Sequence, residues 1–161
     1  MSDTLKIGIV GCGLIAGLTH IPIFKRLEGR VVLAAVCDKN ENLAKETISK
    51  FKIPHAYNNL SQMLSNEDLD VIDICTPPQT HPAIAIEALE QDCHVMMEKP
   101  MALTSSDCDQ MIGASQRHGV KLCVIHNLLF DPPLLRAKEL VADSAFGDFL
   151  GLRILMSDPR E

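Results

Sequence analysis

A glycine-rich turn between a predicted strand and a predicted helix is the feature that most constrains the fold of this chain. Gly11-Cys-Gly-Leu-Ile-Ala16 follows the apolar run Leu5–Val10 and has the spacing G-x-G-x-x-A. Gly11 permits a tight turn, Gly13 lets a ligand's phosphates approach the backbone, and Ala16 lets the helix pack closely on the strand. Free backbone amides at the start of that helix favour an anion. The motif therefore predicts a β-α-β unit that binds a dinucleotide.

The rest of the chain alternates short apolar runs with stretches of helical period, which indicates a parallel sheet covered by helices on both faces. The predicted strands are Leu5–Val10, Val31–Cys37, Val71–Cys75, His94–Met97 and Lys121–Ile125, with a further short one near His55 and Ala56. The predicted helices are Leu14–Leu27, Glu41–Phe51, Ser61–Ser65, Pro82–Gln91 and Ser105–His118. The fold class is therefore α/β, a doubly wound and mostly parallel sheet of the Rossmann type.

Local signals set several of the predicted helix ends. Asn40 is placed to cap the second helix, and Thr104 with Asp107 forms a capping-box pattern before the last one. Gly119 supplies the left-handed residue that ends that helix. Pro22 predicts a kink or a division of the first helical stretch, because proline has no backbone N–H to donate.

Composition and charge exclude several classes of protein. Apolar residues make up 47% and charged residues 22%, the proportions of a folded globular domain. The formal net charge is −6, and no run of Lys and Arg is long enough to neutralise a row of phosphates, so we expect no nucleic-acid partner. No apolar run approaches the roughly 20 residues of a membrane span, and the amino-terminal segment lacks a leader pattern. We therefore expect no membrane partner and a cytoplasmic location.

The cysteines give no sign of a metal centre. The six of them show neither a C-x-x-C pair nor a zinc-ligand spacing with histidine. We therefore predict no metal site and a reducing compartment. Cys37, Cys75, Cys93 and Cys123 lie in or beside apolar runs, where a reduced cysteine packs as a small hydrophobic residue.

Asp38 follows the second predicted strand, at the position where an acid binds the ribose hydroxyls of a dinucleotide. A carboxylate there repels the 2′-phosphate of NADP, so NAD is favoured over NADP, although the adjacent Lys39 offsets part of that repulsion. The alternative is a glycine turn that serves only as a tight connection, with Asp38 as an ordinary polar residue at a strand end.

Two further segments follow strands at the edge where a doubly wound sheet binds its ligands. In the first, Thr76 and Pro77 begin a rigid turn and His81 lies near the start of the next helix. His81 either faces the cofactor or has only a structural role, as a helix-capping or a buried histidine. In the second, Glu98 and Lys99 follow an apolar strand, and charged residues at the end of a strand are usually exposed to solvent. Lys99 beside a nicotinamide could instead hold a substrate hydroxyl and help to remove its proton, and desolvation would lower its pKa toward that use.

A third segment contains His126 and Asn127, after the last predicted strand. Both side chains could reach substrate or nicotinamide. Alternatively, the segment serves only to lead into Pro132 and Pro133, which are suited to starting a helix.

Together these segments resemble the glucose-fructose oxidoreductase, inositol dehydrogenase and MocA family. The resemblance rests on the turn at 11–16, Asp38, Thr76-Pro77 with His81, Glu98-Lys99-Pro100 and the segment from Asn127 to Pro132. It implies that Lys99 touches the substrate and assists proton transfer while hydride passes to or from NAD or NADP. The residues implied to bind the cofactor are Gly11, Gly13, Leu14, Ile15, Ala16, Asp38, Thr76, Pro77, His81, Glu98 and Asn127. The implied substrates are sugars, cyclitols and related polyols.

This chain departs from the family pattern in two respects. Leu129 stands where the family often has an arginine. Family members also continue into a second α/β domain, which supplies an aspartate and a histidine to the chemistry and usually drives oligomerisation. We therefore expect a nucleotide-binding domain at residues 1–126, and at 127–161 a helix and linker toward a truncated, otherwise absent C-terminal substrate domain. On this view the segment 147–159 approaches that domain's first strand, and the chain alone is incomplete for catalysis.

The leading hypothesis is thus an NAD(P)-dependent dehydrogenase, of which this chain is the cofactor-binding part and in which homo-oligomers are possible. One alternative is a non-catalytic dinucleotide sensor or regulatory module, and another is a remnant of the fold that binds nothing. Lys99 distinguishes an enzyme from a sensor, because its replacement by alanine would disable the first and leave the second intact.

Overall fold

The computed structural model describes residues 4–27, 29–143, 147–148, 150–151 and 153. The chain divides into two compact units, one that runs to Ile125 and one that begins at His126. The first unit contains the whole sheet. Most of the segment 147–159, predicted to approach another domain, lies outside the described residues.

The first unit is built on a six-stranded sheet in which every strand pairs in parallel with its neighbours. The strands are β1 (Leu5–Val10), β2 (Val31–Cys37), β3 (His55–Tyr57), β4 (Val71–Ile74), β5 (His94–Met97) and β6 (Leu122–Val124). Their order across the sheet is β3-β2-β1-β4-β5-β6. The winding therefore reverses between β1 and β4, which is where such a sheet opens a crevice for ligands. The predicted doubly wound α/β class is confirmed.

Helices connect the strands. They are α1 (Ile21–Arg26), α2 (Glu41–Phe51), α3 (Leu60–Asn66), α4 (His81–Leu89) and α5 (Ser105–His118), with α6 (Pro132–Ala142) in the second unit. The stretch predicted as one helix from Leu14 changes its helical geometry, because a π-helical turn at Ala16–His20 precedes α1. Pro22 lies in the first turn of α1, where its missing N–H does no harm. The π-helical turn ends two residues before Pro22, and the backbone stays helical through His20 and Ile21, so the structure has a change of helical geometry near Pro22 and not the division that was predicted there. None of the described helices is long and apolar enough to cross a membrane.

The predicted caps are present. The Asn40 side chain accepts a hydrogen bond from the Leu43 amide at 3.3 Å. Thr104 accepts one from the Asp107 amide at 3.1 Å and donates its hydroxyl to the Asp107 carboxylate at 2.7 Å. Gly119 ends α5 with a φ of 67°. These contacts satisfy amides and carbonyls that a helix end leaves without partners.

Two apolar layers cover the sheet. Ile9 packs with Ile21 and Val36 in one layer, while Val10 packs with Ile74 in the other. Neighbouring residues of a strand point to opposite faces, so a strand covered on both sides is apolar throughout. Burial of each large apolar side chain contributes roughly 1.5–3 kcal/mol to folding.

The cysteines are all unpaired, and three of the six are buried. Burial raises the pKa of the Cys12 thiol to about 11 and that of Cys37 to about 12, so both are protonated at neutral pH. Cys93 is also buried. The expectation of buried packing is wrong for Cys123, which is exposed because it lies on β6 at the edge of the sheet.

Candidate cofactor site

An open cleft with a volume of about 530 Å³ lies at the carboxyl ends of β1 to β4 in the first unit. The glycine turn, the residues that follow β2, β3 and β4, and the first turns of α4 form its walls. The lining residues are Val10, Gly11, Gly13, Cys37, Asp38, Lys39, Asn58, Asn59, Leu60, Cys75, Thr76, Pro77, Thr80, Ala83, Ile84 and Glu87. The cleft thus occupies the position where the strand order reverses.

The two glycines of the turn have different roles. Gly11 has a φ of 95°, and a Cβ at this position would come within 2.9 Å of the Cys75 carbonyl group. Gly11 is therefore required by the fold itself. Gly13 lines the cleft, and a Cβ there would meet no atom of the described part of the chain within 4 Å. The absent side chain at Gly13 leaves backbone open toward the cleft, as the approach of a pyrophosphate requires.

The Asp38 carboxylate is tied to the glycine turn. Its Oδ2 accepts a hydrogen bond from the Cys12 amide at 2.8 Å, and its Oδ1 accepts one from the Asn40 amide at 2.8 Å. The Gly11 amide donates to the Cys37 carbonyl at 2.8 Å. A carboxylate has about four acceptor positions, so Asp38 retains capacity for hydroxyl groups of a ligand in the cleft.

The turn after β4 brings Thr76 and Pro77 to the cleft wall, as predicted. His81 does not line the cleft and is fully buried. Its Nε2 lies 2.8 Å from the Thr76 carbonyl oxygen, and its Nδ1 lies 3.0 Å from that of Pro100. His81 therefore joins the loop after β4 to the loop after β5, which favours the buried alternative over direct cofactor contact.

Glu98 and Lys99 follow β5, next to the end of β4. The Lys99 side chain is exposed, so the described residues do not provide the desolvation expected for it. The Lys99 amide donates to Glu98 Oε2 at 3.2 Å. The other oxygen of Glu98 lies 3.2 Å from Nε2 of His20.

His20 and Asp73 form a buried pair that the sequence analysis missed. His20 Nδ1 lies 2.8 Å from Asp73 Oδ2, and neither side chain is more than 5% exposed. Burial lowers the pKa of His20, but hydrogen bonds and charges from Asp73 and Glu98 outweigh it and raise the pKa overall. The signal in the sequence was an aspartate inside the apolar strand Val71–Ile74, where an unpaired charge is costly.

Comparison with known proteins agrees with this geometry. Residues 5–126 match the family model GFO_IDH_MocA, described as an oxidoreductase family with an NAD-binding Rossmann fold. The chain belongs to this family.

Two curated proteins are similar in sequence to this chain over most of its length. The 1-carboxy-3-chloro-3,4-dihydroxycyclohexa-1,5-diene dehydrogenase of Comamonas testosteroni is 36% identical over 143 residues, which cover 89% of this chain and 36% of that protein. The alpha-N-acetylgalactosaminidase of Shewanella oneidensis is 31% identical over 157 residues, which cover 92% of this chain and 34% of that protein. The Gfo/Idh/MocA chain thus spans little more than a third of the length of these relatives.

A solved structure gives the same result in three dimensions. The WlbA dehydrogenase from Bordetella pertussis, in complex with NADH and UDP-GlcNAcA, superimposes with a TM-score of 0.86 at 30% identity. The match covers 90% of the Gfo/Idh/MocA chain and 44% of the WlbA chain. The predicted family and its NAD-binding Rossmann fold are confirmed.

The remaining residues of the predicted site differ in burial and in whether they line the cleft. Ala16 is fully buried, so it acts by letting the helix pack on the sheet. Leu14 and Ile15 are exposed, and neither lines the cleft. Asn127 belongs to the second unit, where its side chain accepts a hydrogen bond from the Leu128 amide. Cofactor contact by Leu14, Ile15 and Asn127 remains a prediction, as does contact by the other predicted residues, Gly11, Gly13, Asp38, Thr76, Pro77 and Glu98.

The cleft wall also contains residues that the sequence analysis did not select. They are Asn58, Asn59 and Leu60 after β3, and Thr80, Ala83, Ile84 and Glu87 after β4. Asn58 and Asn59 had a detectable signal, because they directly follow a short predicted strand and therefore lie at the ligand-binding edge of the sheet.

One group of described side chains has the donor atoms for a metal ion. Atoms of His20, Asp73 and Cys75 lie within 4.8 Å of one another. Each ring nitrogen of His20 already faces a carboxylate, and burial raises the pKa of the Cys75 thiol far above neutral pH. Hydrogen bonding accounts for this group, and the expectation of no metal site remains a prediction.

Proposed function

We propose that this chain is the cofactor-binding part of an NAD-dependent dehydrogenase acting on a sugar, cyclitol or related polyol. The observation that carries the proposal is the cleft at the reversal of the sheet, where open backbone at Gly13 lies beside the Asp38 carboxylate. The relatives support the substrate class, because their names include a dehydrogenase of a carbocyclic diol and a protein solved with a sugar nucleotide.

The residues of the cleft suit a dinucleotide. Backbone at Gly13 would receive the pyrophosphate, and Asp38 would accept hydrogen bonds from ribose hydroxyls. The negative charge of Asp38 opposes a 2′-phosphate, so the proposal is NAD in preference to NADP, with Lys39 moderating the difference. Bound NAD supplies the site that accepts or donates hydride.

Lys99 is the proposed catalytic residue. It lies exposed at the end of β5, on the same edge of the sheet as the cleft, and its backbone is held by Glu98. We propose that Nζ of Lys99 orients the substrate hydroxyl and assists removal of its proton while hydride leaves the carbinol carbon. Only an uncharged amine can accept that proton. A neighbouring structure that shields Lys99 from water would favour the uncharged amine and therefore the reaction.

The remaining parts of the proposal concern the whole enzyme. A second domain would supply the other acid-base residues and most of the substrate pocket, and assembly would be homo-oligomeric. Six unpaired cysteines favour the reducing cytoplasm as its location. No nucleic acid is proposed as a partner, because the chain has a net charge of −6.

Isotope transfer tests the proposal. The whole enzyme, of which this chain is proposed to be the cofactor-binding part, is incubated in stoichiometric amounts with NAD and with polyols and sugars deuterated at the carbinol carbon, and NMR detects deuterium at nicotinamide C4. We expect transfer by the wild type. Lys99→Ala should slow it by about 100-fold or more, with NAD affinity retained.

Lys121→Ala is the matched control. Lys121 is an exposed lysine directly before β6, at the amino ends of the strands and therefore on the side of the sheet away from the cleft. It should leave the transfer rate unchanged. NAD binding by the whole enzyme without transfer from any compound in the panel would contradict the dehydrogenase proposal. Equal rates in Lys99→Ala and the wild type would contradict the role of Lys99.

A further inference from the structure

His20 lies between carboxylates from two different parts of the sheet. Its Nδ1 is 2.8 Å from Asp73 in β4, and its Nε2 is 3.2 Å from Glu98 after β5. The His20 ring is 5% exposed, Asp73 is fully buried, and the Glu98 side chain is 20% exposed. Phe24 meets the ring edge-on at a centroid distance of 6.4 Å. One side chain thus connects the helix after the glycine turn with two strands of the sheet.

The π-helical turn explains why His20 points inward. The Ile21 amide donates to the Ala16 carbonyl, which closes a wider loop than in an α-helix and adds one residue to the turn. Ala16, His20 and Ile21 are consequently all buried. Turns of this kind occur often at functional sites, and here the inserted geometry aims a polar side chain into an otherwise apolar layer.

The geometry of the network favours a cation at His20. Asp73 Oδ2 faces His20 and accepts a hydrogen bond from the Cys75 thiol at 3.5 Å, while Asp73 Oδ1 has no hydrogen-bond partner among the described residues. A buried carboxylate without a compensating charge is strongly disfavoured. A neutral imidazole has a single N–H and donates to one carboxylate, whereas the imidazolium donates to both. The charged form of His20 therefore satisfies Asp73 and Glu98 together.

We propose that His20, as an imidazolium, is a positioning residue that holds the Glu98 carboxylate and through it the backbone of Lys99. Glu98 Oε1 faces His20, and Glu98 Oε2 accepts the hydrogen bond from the Lys99 amide. The network fixes the turn that carries Lys99 relative to the helix that begins at the cofactor turn. The importance of this network for catalysis rests on the proposed role of Lys99. The linkage from His20 through Glu98 to the Lys99 amide does not depend on that role.

Nuclear magnetic resonance of the free chain tests the linkage without cofactor or substrate. Ring ¹⁵N shifts of labelled histidine report the charge of His20, and the backbone amide shift of Lys99 reports the turn. We expect His20 to be charged at neutral pH. On raising the pH, the Lys99 amide should shift with the same midpoint as the His20 ring, because loss of the ring proton releases Glu98.

Two variants sharpen the test. Glu98→Gln keeps the shape of the side chain and removes its charge, so the midpoint of His20 should fall by about one pH unit and the response of the Lys99 amide should vanish. Asp73→Asn should also lower the midpoint of His20. The matched control is His118→Gln at the exposed His118–Asp92 pair, and it should change neither signal.

A neutral His20 ring at neutral pH would overturn the proposal. So would a Lys99 amide that shows no inflection at the midpoint of His20 in the wild type, a measurement that does not depend on any variant folding. Because no cofactor is present, either result would leave the NAD-binding proposal untouched. Loss of NAD binding alone would in turn leave the His20 linkage intact.

Discussion

The Asp38 carboxylate accepts a hydrogen bond from the Cys12 amide, at 2.8 Å, inside the glycine turn. The acid at the end of β2 thus shapes the turn in addition to presenting acceptors to the cleft. Its second oxygen accepts the Asn40 amide, which fixes the carboxylate in place. Cofactor recognition and the conformation of the turn therefore depend on the same side chain.

Asp38→Asn should weaken NAD binding by about tenfold or more, as measured by calorimetric titration. An amide cannot accept from both the Cys12 and Asn40 amides as a carboxylate does, and charged hydrogen bonds contribute about 1.5–3 kcal/mol. Asp70→Asn is the control, because Asp70 accepts the Lys6 amide at 2.7 Å at the opposite edge of the sheet. Equal NAD affinity in the wild type and Asp38→Asn would contradict the assigned role.

Gly11→Ala should lower the free energy of unfolding by about 2–4 kcal/mol in urea denaturation. The new Cβ would approach the Cys75 carbonyl, and the positive φ would be strained. Gly119→Ala isolates the second effect, because Gly119 has a φ of 67° but no atom of any described residue within 4 Å of its Cβ position. Its cost should be only about 1–2 kcal/mol. Equal losses in the two variants would show that Gly11 has no steric role.

The pH dependence of stability should reveal His20. Its pKa is raised in the folded chain above the ordinary value of 6.5, so its stabilising effect is fully present below about pH 6.5 and is lost as the pH rises through the folded pKa. The difference in unfolding free energy between the wild type and His20→Gln should therefore be larger near pH 6 than near pH 9. A difference that is constant across this range would contradict the raised pKa.

His81→Leu should destabilise the chain by roughly 1–3 kcal/mol, because whichever of the Thr76 and Pro100 carbonyl oxygens accepts the ring N–H would lose its donor. It should also weaken NAD binding, since Thr76 lines the cleft. Urea denaturation and NAD titration measure the two effects. His118→Leu, on the surface, should change neither, and NAD affinity unchanged in His81→Leu would show that the loops do not depend on this histidine.

Local patterns in the sequence were sufficient for the glycine turn, the order of strands and helices, and the caps at Asn40 and Thr104. Each depends on residues close together in the chain. The pairing of His20 with Asp73 was not predictable in that way, because 53 residues separate them and only the parallel sheet brings them together. The environment of His81 was likewise left open, since a histidine before a proline is equally suited to a cleft wall and to the core.

The central claim is that NAD binds across the turn at Gly13. The most direct test of this claim is to compare the melting midpoint of the chain with and without NAD. At 100 times its dissociation constant NAD should add roughly 2.7 kcal/mol to stability and raise the midpoint, with a smaller rise for NADP. Gly13→Val should melt like the wild type without cofactor and lose the rise, because its side chain projects only into the cleft. Gly17→Val, which is equally uncrowded and lies outside the cleft, should keep the rise. No rise in the wild type, or an undiminished rise in Gly13→Val, would contradict the claim.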